Sequence, residues 1–174
     1  MIEGRNVKIR PIKTLELDQF FSILEIAQMQ NEFFPFDVES EYNFKKEYES
    51  TGFWQEDKGL ALILNLKNEI IGMISYIKSI FLDAQELKYI IFDEKNRGKG
   101  FMKESLKVFS SFLFSNRKIN RLQLAIPDYH RASIAVAQKC GYIFEGIARE
   151  AIFSNGKYLD VCIYSLLRKE NPQR

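Results

Sequence analysis

The chain has 174 residues, of which 46% are hydrophobic and 28% are charged, and its formal net charge at pH 7 is +2. This length and composition indicate one globular domain over residues 1–174 with a single sizeable core, which excludes a disordered chain. The small net charge, with acids interspersed among the bases, excludes a general nucleic-acid surface, and no stretch approaches the ~20 apolar residues of a membrane span.

Hydrophobic periodicity predicts the elements of the first half of the chain. We expect a strand over residues 7–11, an amphipathic helix over 14–29, a mixed-charge helical segment over 41–49, and an antiparallel hairpin with strands 60–66 and 69–77. The connector between the two helices contains the run FFPF, from Phe33 to Phe36. This run and Trp54 have two interpretations, which are core packing against the sheet and the wall of a substrate pocket.

The second half predicts a strand–helix–strand unit followed by a helix and a hairpin. The predicted elements are a strand over residues 87–92, a helix over 101–116, a strand over 121–127, a short helix over 131–140, and strands over 144–153 and 157–167. The short helix ends at Gly141, and Asn155-Gly156 is a strong hairpin signal between the last two strands. We expect the core to span residues 7–167 and the tail, residues 168–174, to be frayed. One βαβ unit with antiparallel flanks indicates an α/β (α+β) mixed sheet.

The turn after the strand at residues 87–92 has the composition of an anion site. Gly98 and Gly100 let the backbone bend and approach a ligand, and the first N–H groups of the following helix point at that ligand. Arg97 and Lys99 add two positive charges to the helix dipole, so a phosphate or pyrophosphate is the expected occupant. Phe101 stands where a Walker loop needs lysine, and no third glycine completes a dinucleotide fingerprint. A plain strand-to-helix turn with a solvated basic face is the other interpretation.

Residues 97–102, RGKGFM, resemble the coenzyme A pyrophosphate loop of the GCN5-related N-acetyltransferases, the GNAT superfamily. The family pattern is Gln/Arg-x-x-Gly-x-Gly/Ala, which Arg97 and Gly100 match and from which Met102 departs. Residues 130–142 are similar to the family segment Asn-x-Ala-Ser-x₅-Lys-x-Gly-Phe, with Ser133, Lys139 and Gly141 matching. The last hairpin is similar to that of the RimJ/RimL-like ribosomal-protein branch. Its matching residues are Glu145, Gly146, Arg149, Asn155, Gly156, Lys157, Tyr158, Asp160, Tyr164 and Ser165.

The resemblance implies a mixed sheet of about seven strands that splays between the fourth and fifth strands, flanked by about four helices. It also implies acetyl-CoA as cosubstrate, with the pantetheine arm in the gap and no metal. The residues it assigns to coenzyme binding are the backbone of Ile91 and Phe92, the loop residues Arg97, Gly98, Lys99, Gly100, Phe101 and Met102, and His130 and Lys139. His130 replaces the usual asparagine, and it either keeps that hydrogen bond or is a surface histidine.

The implied reaction is acetyl transfer to an amine by direct attack. Cys140, Cys162 and His130 are too few and too scattered for a zinc site, and no nucleophile lies beside a histidine and a carboxylate for a covalent intermediate. Ala137 occupies the position at which many superfamily members have a tyrosine that donates to the leaving thiolate. We expect Ser133 to replace that donor; alternatively, its hydroxyl bonds only to its own helix backbone.

The general base is the least defined part of the predicted site. Glu86 opens the fourth predicted strand, but ungapped counting from the loop aligns the family glutamate with Leu87. Glu150 lies on the last hairpin, although the nearest family carboxylate aligns with Ile152. Both glutamates have an alternative interpretation as solvated strand residues.

Because no general base is clearly defined, an acceptor amine that loses its proton easily is favoured. At pH 7 an α-amine costs about 1 kcal/mol to deprotonate, whereas a lysine-like amine costs about 4 to 5 kcal/mol. We therefore expect a protein or peptide N-terminus, or an amino-acid-like amine, as the substrate. Two alternatives stay open: a small-molecule acetyltransferase acting on an antibiotic, polyamine or amino sugar, and a silent coenzyme-binding module. The expected partners are acetyl-CoA and the amine, without nucleic acid or membrane, in a cytoplasmic monomer or homodimer.

Overall fold

The computed structural model describes residues 1–30, 40–80, 82–154 and 156–171. Within them lie eight β-strands and four α-helices. The strands are β1 (Ile2–Glu3), β2 (Val7–Arg10), β3 (Lys58–Asn65), β4 (Ile70–Lys78), β5 (Gln85–Ile91), β6 (Arg121–Pro127), β7 (Ile143–Ser154) and β8 (Lys157–Leu167). The helices are α1 (Leu17–Gln30), α2 (Glu41–Thr51), α3 (Phe101–Asn116) and α4 (Arg131–Lys139). None of the described helices is long and apolar enough to cross a membrane.

All eight strands form one sheet in the order β1-β2-β3-β4-β5-β6-β8-β7. Neighbouring strands are antiparallel except for β5 and β6, which are parallel and pair only at Gln85–Leu122 and Glu86–Gln123. Beyond these two pairs the strands are not bonded to each other, so the sheet splays there and a gap opens toward their carboxyl ends. The family resemblance implied about seven strands, with the splay between the fourth and fifth. The splay lies between the predicted pair of strands, but the two-residue strand β1, which pairs with β2, shifts their numbers to five and six.

The two faces of the sheet bury separate clusters of apolar side chains. On one face, α3 and α4 pack over sheet residues such as Ile74 and Leu87, and on the other, α1 packs over sheet residues such as Leu62 and Ile90. Successive strand residues point to opposite faces, so β5 contributes to both clusters. The odd-numbered residues of β5 therefore face α3 and α4, and the even-numbered ones face α1.

The structure tests the two interpretations for Trp54 but not for the run Phe33 to Phe36. The run Phe33 to Phe36 lies outside the described residues. Trp54 packs edge-on against Tyr76, with ring centroids 5.6 Å apart, and also contacts Phe109 at 6.4 Å. The guanidinium of Arg117 lies 4.8 Å from the centroid of the Tyr76 ring and closes the cluster. These contacts support the core-packing interpretation of Trp54.

Two predicted boundaries differ from those in the structure. Glu16 accepts a hydrogen bond from the Lys13 N–H at 3.1 Å and pairs with Arg10, so residues Thr14–Glu16 form a 3-10 turn and the first α-helix starts later than expected. Of the tail that we expected to be frayed, residues 168–174, the structure describes residues 168–171, and there Arg168 donates to the carbonyls of Ile119 at 2.9 Å and of Arg117 at 2.6 Å. Because these acceptors are carbonyls distant in sequence, no local pattern could indicate the anchor.

Candidate active site

The turn from β5 to α3 has the geometry of an anion-binding loop. Gly98 and Gly100 have φ angles of +72° and +83°, in the left-handed region that residues with a side chain rarely adopt. A Cβ placed on either residue would meet nothing within 4 Å, so the space in front of the loop is open. Backbone conformation therefore requires glycine at these positions, and their bare surface leaves room for a ligand to touch the main chain.

The N-terminus of α3 is a cluster of donors without a side-chain cap. Its N-cap residue is Gly100, which has no side chain to accept the first N–H groups of the helix. Lys99 and Lys103 are exposed beside it and add positive charge to the helix dipole. Glu104, the acid of the first turn, instead accepts hydrogen bonds from the Asn6 N–H at 2.7 Å and the Asn6 Nδ2 at 2.9 Å. The loop is thus suited to a phosphate or pyrophosphate.

Arg97 links the loop to the end of β5 through side-chain hydrogen bonds. Its Nε donates to the Ile91 carbonyl at 3.3 Å, and its Nη2 donates to the Phe92 carbonyl at 3.2 Å. The Phe92 N–H donates to the Ile71 carbonyl at 3.0 Å, so it is used by the sheet. Arg97 therefore also orders the strand end that we expect to bind the coenzyme. A carbonyl oxygen accepts two hydrogen bonds, which leaves acceptor capacity at Ile91 and Phe92.

Two hydroxyl groups meet between β5 and α4, beside the splay of β5 and β6. The Ser133 Oγ donates to the Tyr89 Oη at 3.1 Å, and the Tyr89 hydroxyl donates to the Ser133 carbonyl at 3.4 Å. Tyr89 lies three residues beyond Glu86, where the last pair of β5 and β6 is formed. Burial raises the pKa of Tyr89, so its phenol is neutral at physiological pH. The sequence prediction included Ser133 and missed Tyr89.

Other polar groups on or near α4 are committed to the protein core. Ala137 is buried one turn after Ser133, and no hydroxyl stands at that position. The buried Tyr142 hydroxyl is 2.8 Å from the Ser110 Oγ on α3, so it is not directed at the gap. The Cys140 thiol is also buried, and burial raises its pKa to about 11, which makes it a poor nucleophile at neutral pH.

The end of α4 lies against the first turn of α3. The Cys140 Sγ donates to the Lys103 carbonyl at 3.3 Å, which fixes the two helices at this point. Lys139, the neighbouring residue, is exposed. His130 lies at the other end, where it precedes α4 and donates its N–H to the Pro127 carbonyl at 2.9 Å. Within the described residues no group of three or more His, Cys, Asp or Glu could hold a metal ion.

The structure places the two candidate bases at opposite ends of the gap. Glu86 is at the closed end, paired with Ile77 and Gln123, and its side chain lies on the α1 face. It is about 10 Å along β5 from Tyr89, because a strand rises about 3.3 Å per residue. Glu150 is exposed in a bulge of β7, has a φ of +49°, and donates its N–H to the Asp160 Oδ1 at 2.8 Å. The carboxylates of Glu86 and Glu150 therefore do not lie together in the site.

A third carboxylate near the splay is an ion-pair residue. Glu145 pairs with Arg121 and accepts a 2.6 Å hydrogen bond from the Ser165 hydroxyl. These contacts, of which the Arg121 hydrogen bonds are the largest, lower the pKa of Glu145 to about 2. A carboxylate of such low basicity takes a proton poorly at neutral pH, so Glu145 is not a suitable general base.

Comparison with known proteins agrees with this geometry. Residues 6–143 match the family model of the acetyltransferase (GNAT) domain. The probable N-acetyltransferase YjcK of Bacillus subtilis strain 168 is 23% identical in an alignment of 185 residues that covers 99% of this chain and 100% of the relative.

Solved structures show the same fold. A spermidine N-acetyltransferase from Vibrio cholerae, in complex with CoA and spermine, has a TM-score of 0.82 at 18% identity, covering 97% of this chain and 99% of that one. RimL, a ribosomal L7/L12 alpha-N-protein acetyltransferase in complex with coenzyme A, has a TM-score of 0.76 at 20% identity, covering 94% of this chain and 95% of that one. The predicted fold class is confirmed.

Proposed function

This chain belongs to the GNAT acetyltransferase family and is an acetyl-CoA-dependent N-acetyltransferase, and from that premise we propose that its acceptor is a protein or peptide N-terminal α-amine. We place it in the RimJ/RimL-like branch, on the motifs of residues 130–142 and of the last hairpin. The combination of an open anion-binding loop, a splayed strand pair and a hydroxyl pair supports acetyl transfer from the coenzyme, and the acceptor class follows from the lower cost of deprotonating an α-amine.

The coenzyme is proposed to bind along the open end of the splay. The pyrophosphate contacts the N–H groups of residues 98–102, with Lys99 and Lys139 supplying positive charge around it. The pantetheine arm follows β5 inward from Ile91 and Phe92 toward Tyr89. This course brings the thioester to the hydroxyl pair and leaves the α1 face of β5 to the amine.

Catalysis is proposed to depend mainly on positioning. The amine nitrogen attacks the thioester carbonyl carbon, the carbon–sulfur bond breaks, and its electron pair leaves on sulfur. The Ser133 hydroxyl donates a hydrogen bond to that sulfur, an interaction that strengthens as negative charge develops. The amine releases its proton to water or to a carboxylate. Of the two candidates we favour Glu86, since the coenzyme arm points toward it, whereas Glu150 lies beside the open end.

The charges around Glu86 disfavour a polycationic acceptor. Lys88 is exposed on the same strand face two residues away, and within the described residues it makes no ion pair. A polyamine would meet this cation and would also need an amine of high pKa to be deprotonated. The likeness to the Vibrio cholerae enzyme nevertheless makes a polyamine the second candidate acceptor.

The pH dependence of the reaction tests the acceptor class. With a peptide that has one free α-amine, kcat/KM should rise with pH through a single ionisation near 8, because the neutral amine is the reactive form. The matched acceptor is the same peptide with its α-amine blocked and one lysine available. If that lysine peptide or spermidine reacts faster than every α-amine tested, the α-amine assignment is wrong.

A further inference from the structure

We propose that Tyr89 is a positioning residue that holds the Ser133 hydroxyl across the gap and polarises it toward the leaving sulfur. This inference rests on the proposed role of Ser133. Tyr89 touches the serine rather than the reacting atoms, and it comes from β5, on the opposite wall of the gap from α4. Its phenol supplies a hydroxyl to a region where Ala137 offers none.

The geometry allows the pair to change direction without moving heavy atoms. At present the Ser133 hydroxyl donates to the Tyr89 Oη at 3.1 Å, while the phenol donates to the Ser133 carbonyl across a longer 3.4 Å contact. A rotation of the two hydroxyl hydrogens lets Tyr89 donate to the Ser133 Oγ, which then donates to sulfur. The exchange gives up only the longer bond, and each donor in such a chain strengthens the next.

The groups around Tyr89 keep its phenol protonated, so that it donates a hydrogen bond and does not act as an acid. The titratable groups on the α3 and α4 side that interact with Tyr89 are Cys140 and Tyr142, whose pKa values are also raised by burial, so all three groups are neutral. Glu86 and Lys88 lie on the other face of β5. The phenol therefore donates a hydrogen bond to the serine without losing its proton. The thiolate leaves with its electron pair and is protonated by water after release.

Replacing Tyr89 by phenylalanine removes only the Oη. We expect kcat to fall about tenfold, the equivalent of one hydrogen bond of about 1.4 kcal/mol, with little change in KM for acetyl-CoA. The matched control is Tyr142→Phe, which removes the phenol of another tyrosine–serine pair, on Ser110, without a contact in the gap. That control should lower the melting temperature while kcat stays close to that of the parent chain.

A double substitution separates action through Ser133 from direct action. If Tyr89 acts through the serine, adding Tyr89→Phe to Ser133→Ala should lower kcat less than about twofold further. A further tenfold fall would show that the two residues act independently and would overturn the proposal. So would an unchanged kcat for Tyr89→Phe alone.

Binding of free coenzyme A gives a readout without any acceptor. A donor on the sulfur favours the thiolate, so affinity for CoA should rise from pH 7 to pH 9 more than affinity for desulfo-CoA, which has no thiol. Calorimetry should show a smaller rise in Tyr89→Phe and an unchanged rise in Tyr142→Phe. An equal rise in both variants contradicts the proposal. A wrong assignment of the acceptor amine would leave this result unaltered.

Discussion

Replacing Gly100 by valine should abolish acetyl-CoA binding, with a loss of affinity of at least about 100-fold. The residue caps α3 with a φ of +83°, and the space in front of it is open to a ligand. A β-branched side chain would fill that space and twist the N–H groups away from the pyrophosphate. Loss of two hydrogen bonds to a charged group costs about 3 kcal/mol or more, which corresponds to this fall in affinity.

The backbone strain of that substitution needs its own control. Gly52, the C-cap of α2, also has a positive φ of +59°, and a Cβ added there would meet nothing within 4 Å. Gly52→Val should lower the melting temperature by a similar few degrees, since each kcal/mol is worth roughly 2–4 °C in a domain of this size. Calorimetry should then find acetyl-CoA affinity lost in Gly100→Val and retained in Gly52→Val. Full affinity in Gly100→Val would place the coenzyme elsewhere.

Replacing Ser133 by alanine should lower kcat about 100-fold at nearly unchanged acetyl-CoA affinity. The hydroxyl is proposed to bond the sulfur as charge develops on it, and removal of one such donor typically costs about 10²-fold or more. Its bond to Tyr89 is worth only about 1 kcal/mol of stability, so the melting temperature should fall by a few degrees at most.

A helical serine with a purely local bond provides the comparison. The Ser22 hydroxyl on α1 donates to the Asp18 carbonyl one turn earlier at 3.1 Å, which is the usual bonding of a serine inside a helix. Ser22→Ala should leave kcat unchanged. If Ser133→Ala behaves in the same way, the serine is structural and water becomes the next candidate donor to the sulfur.

The anion loop could be predicted because its chemistry is local. A positive φ requires glycine, a helix N-terminus attracts anions, and both requirements appear in a stretch of six residues. The hairpin predicted at Asn155-Gly156 follows from an equally short pattern, whereas the splay was implied by the family resemblance. Strand β1 could not be predicted, since Ile2–Glu3 is too short for periodicity and is a strand only through its pairing with β2.

The hydroxyl pair and the position of the bases depend on contacts between distant parts of the chain. Tyr89 and Ser133 are 44 residues apart and meet because β5 and β6 separate after two pairs. The only signal in the sequence was a phenol at a position of β5 that faces α4. Glu150 was placed on a regular strand, whereas the bulge opposite Asp160 changes the direction of its side chain. Such a bulge is set by cross-strand register, which the residues of β7 alone do not determine.

Release of the coenzyme thiol in the presence of different amines tests the central claim most directly. The chain should be mixed with acetyl-CoA and, in parallel, with peptides that have a free α-amine, matched peptides with a blocked α-amine and one lysine, spermidine, and an aminoglycoside. We predict fast thiol release with at least one α-amine peptide, a mass increase of one acetyl group on that peptide, and slower release with every other acceptor. Faster release with spermidine or the aminoglycoside, or none with any amine, would contradict the account.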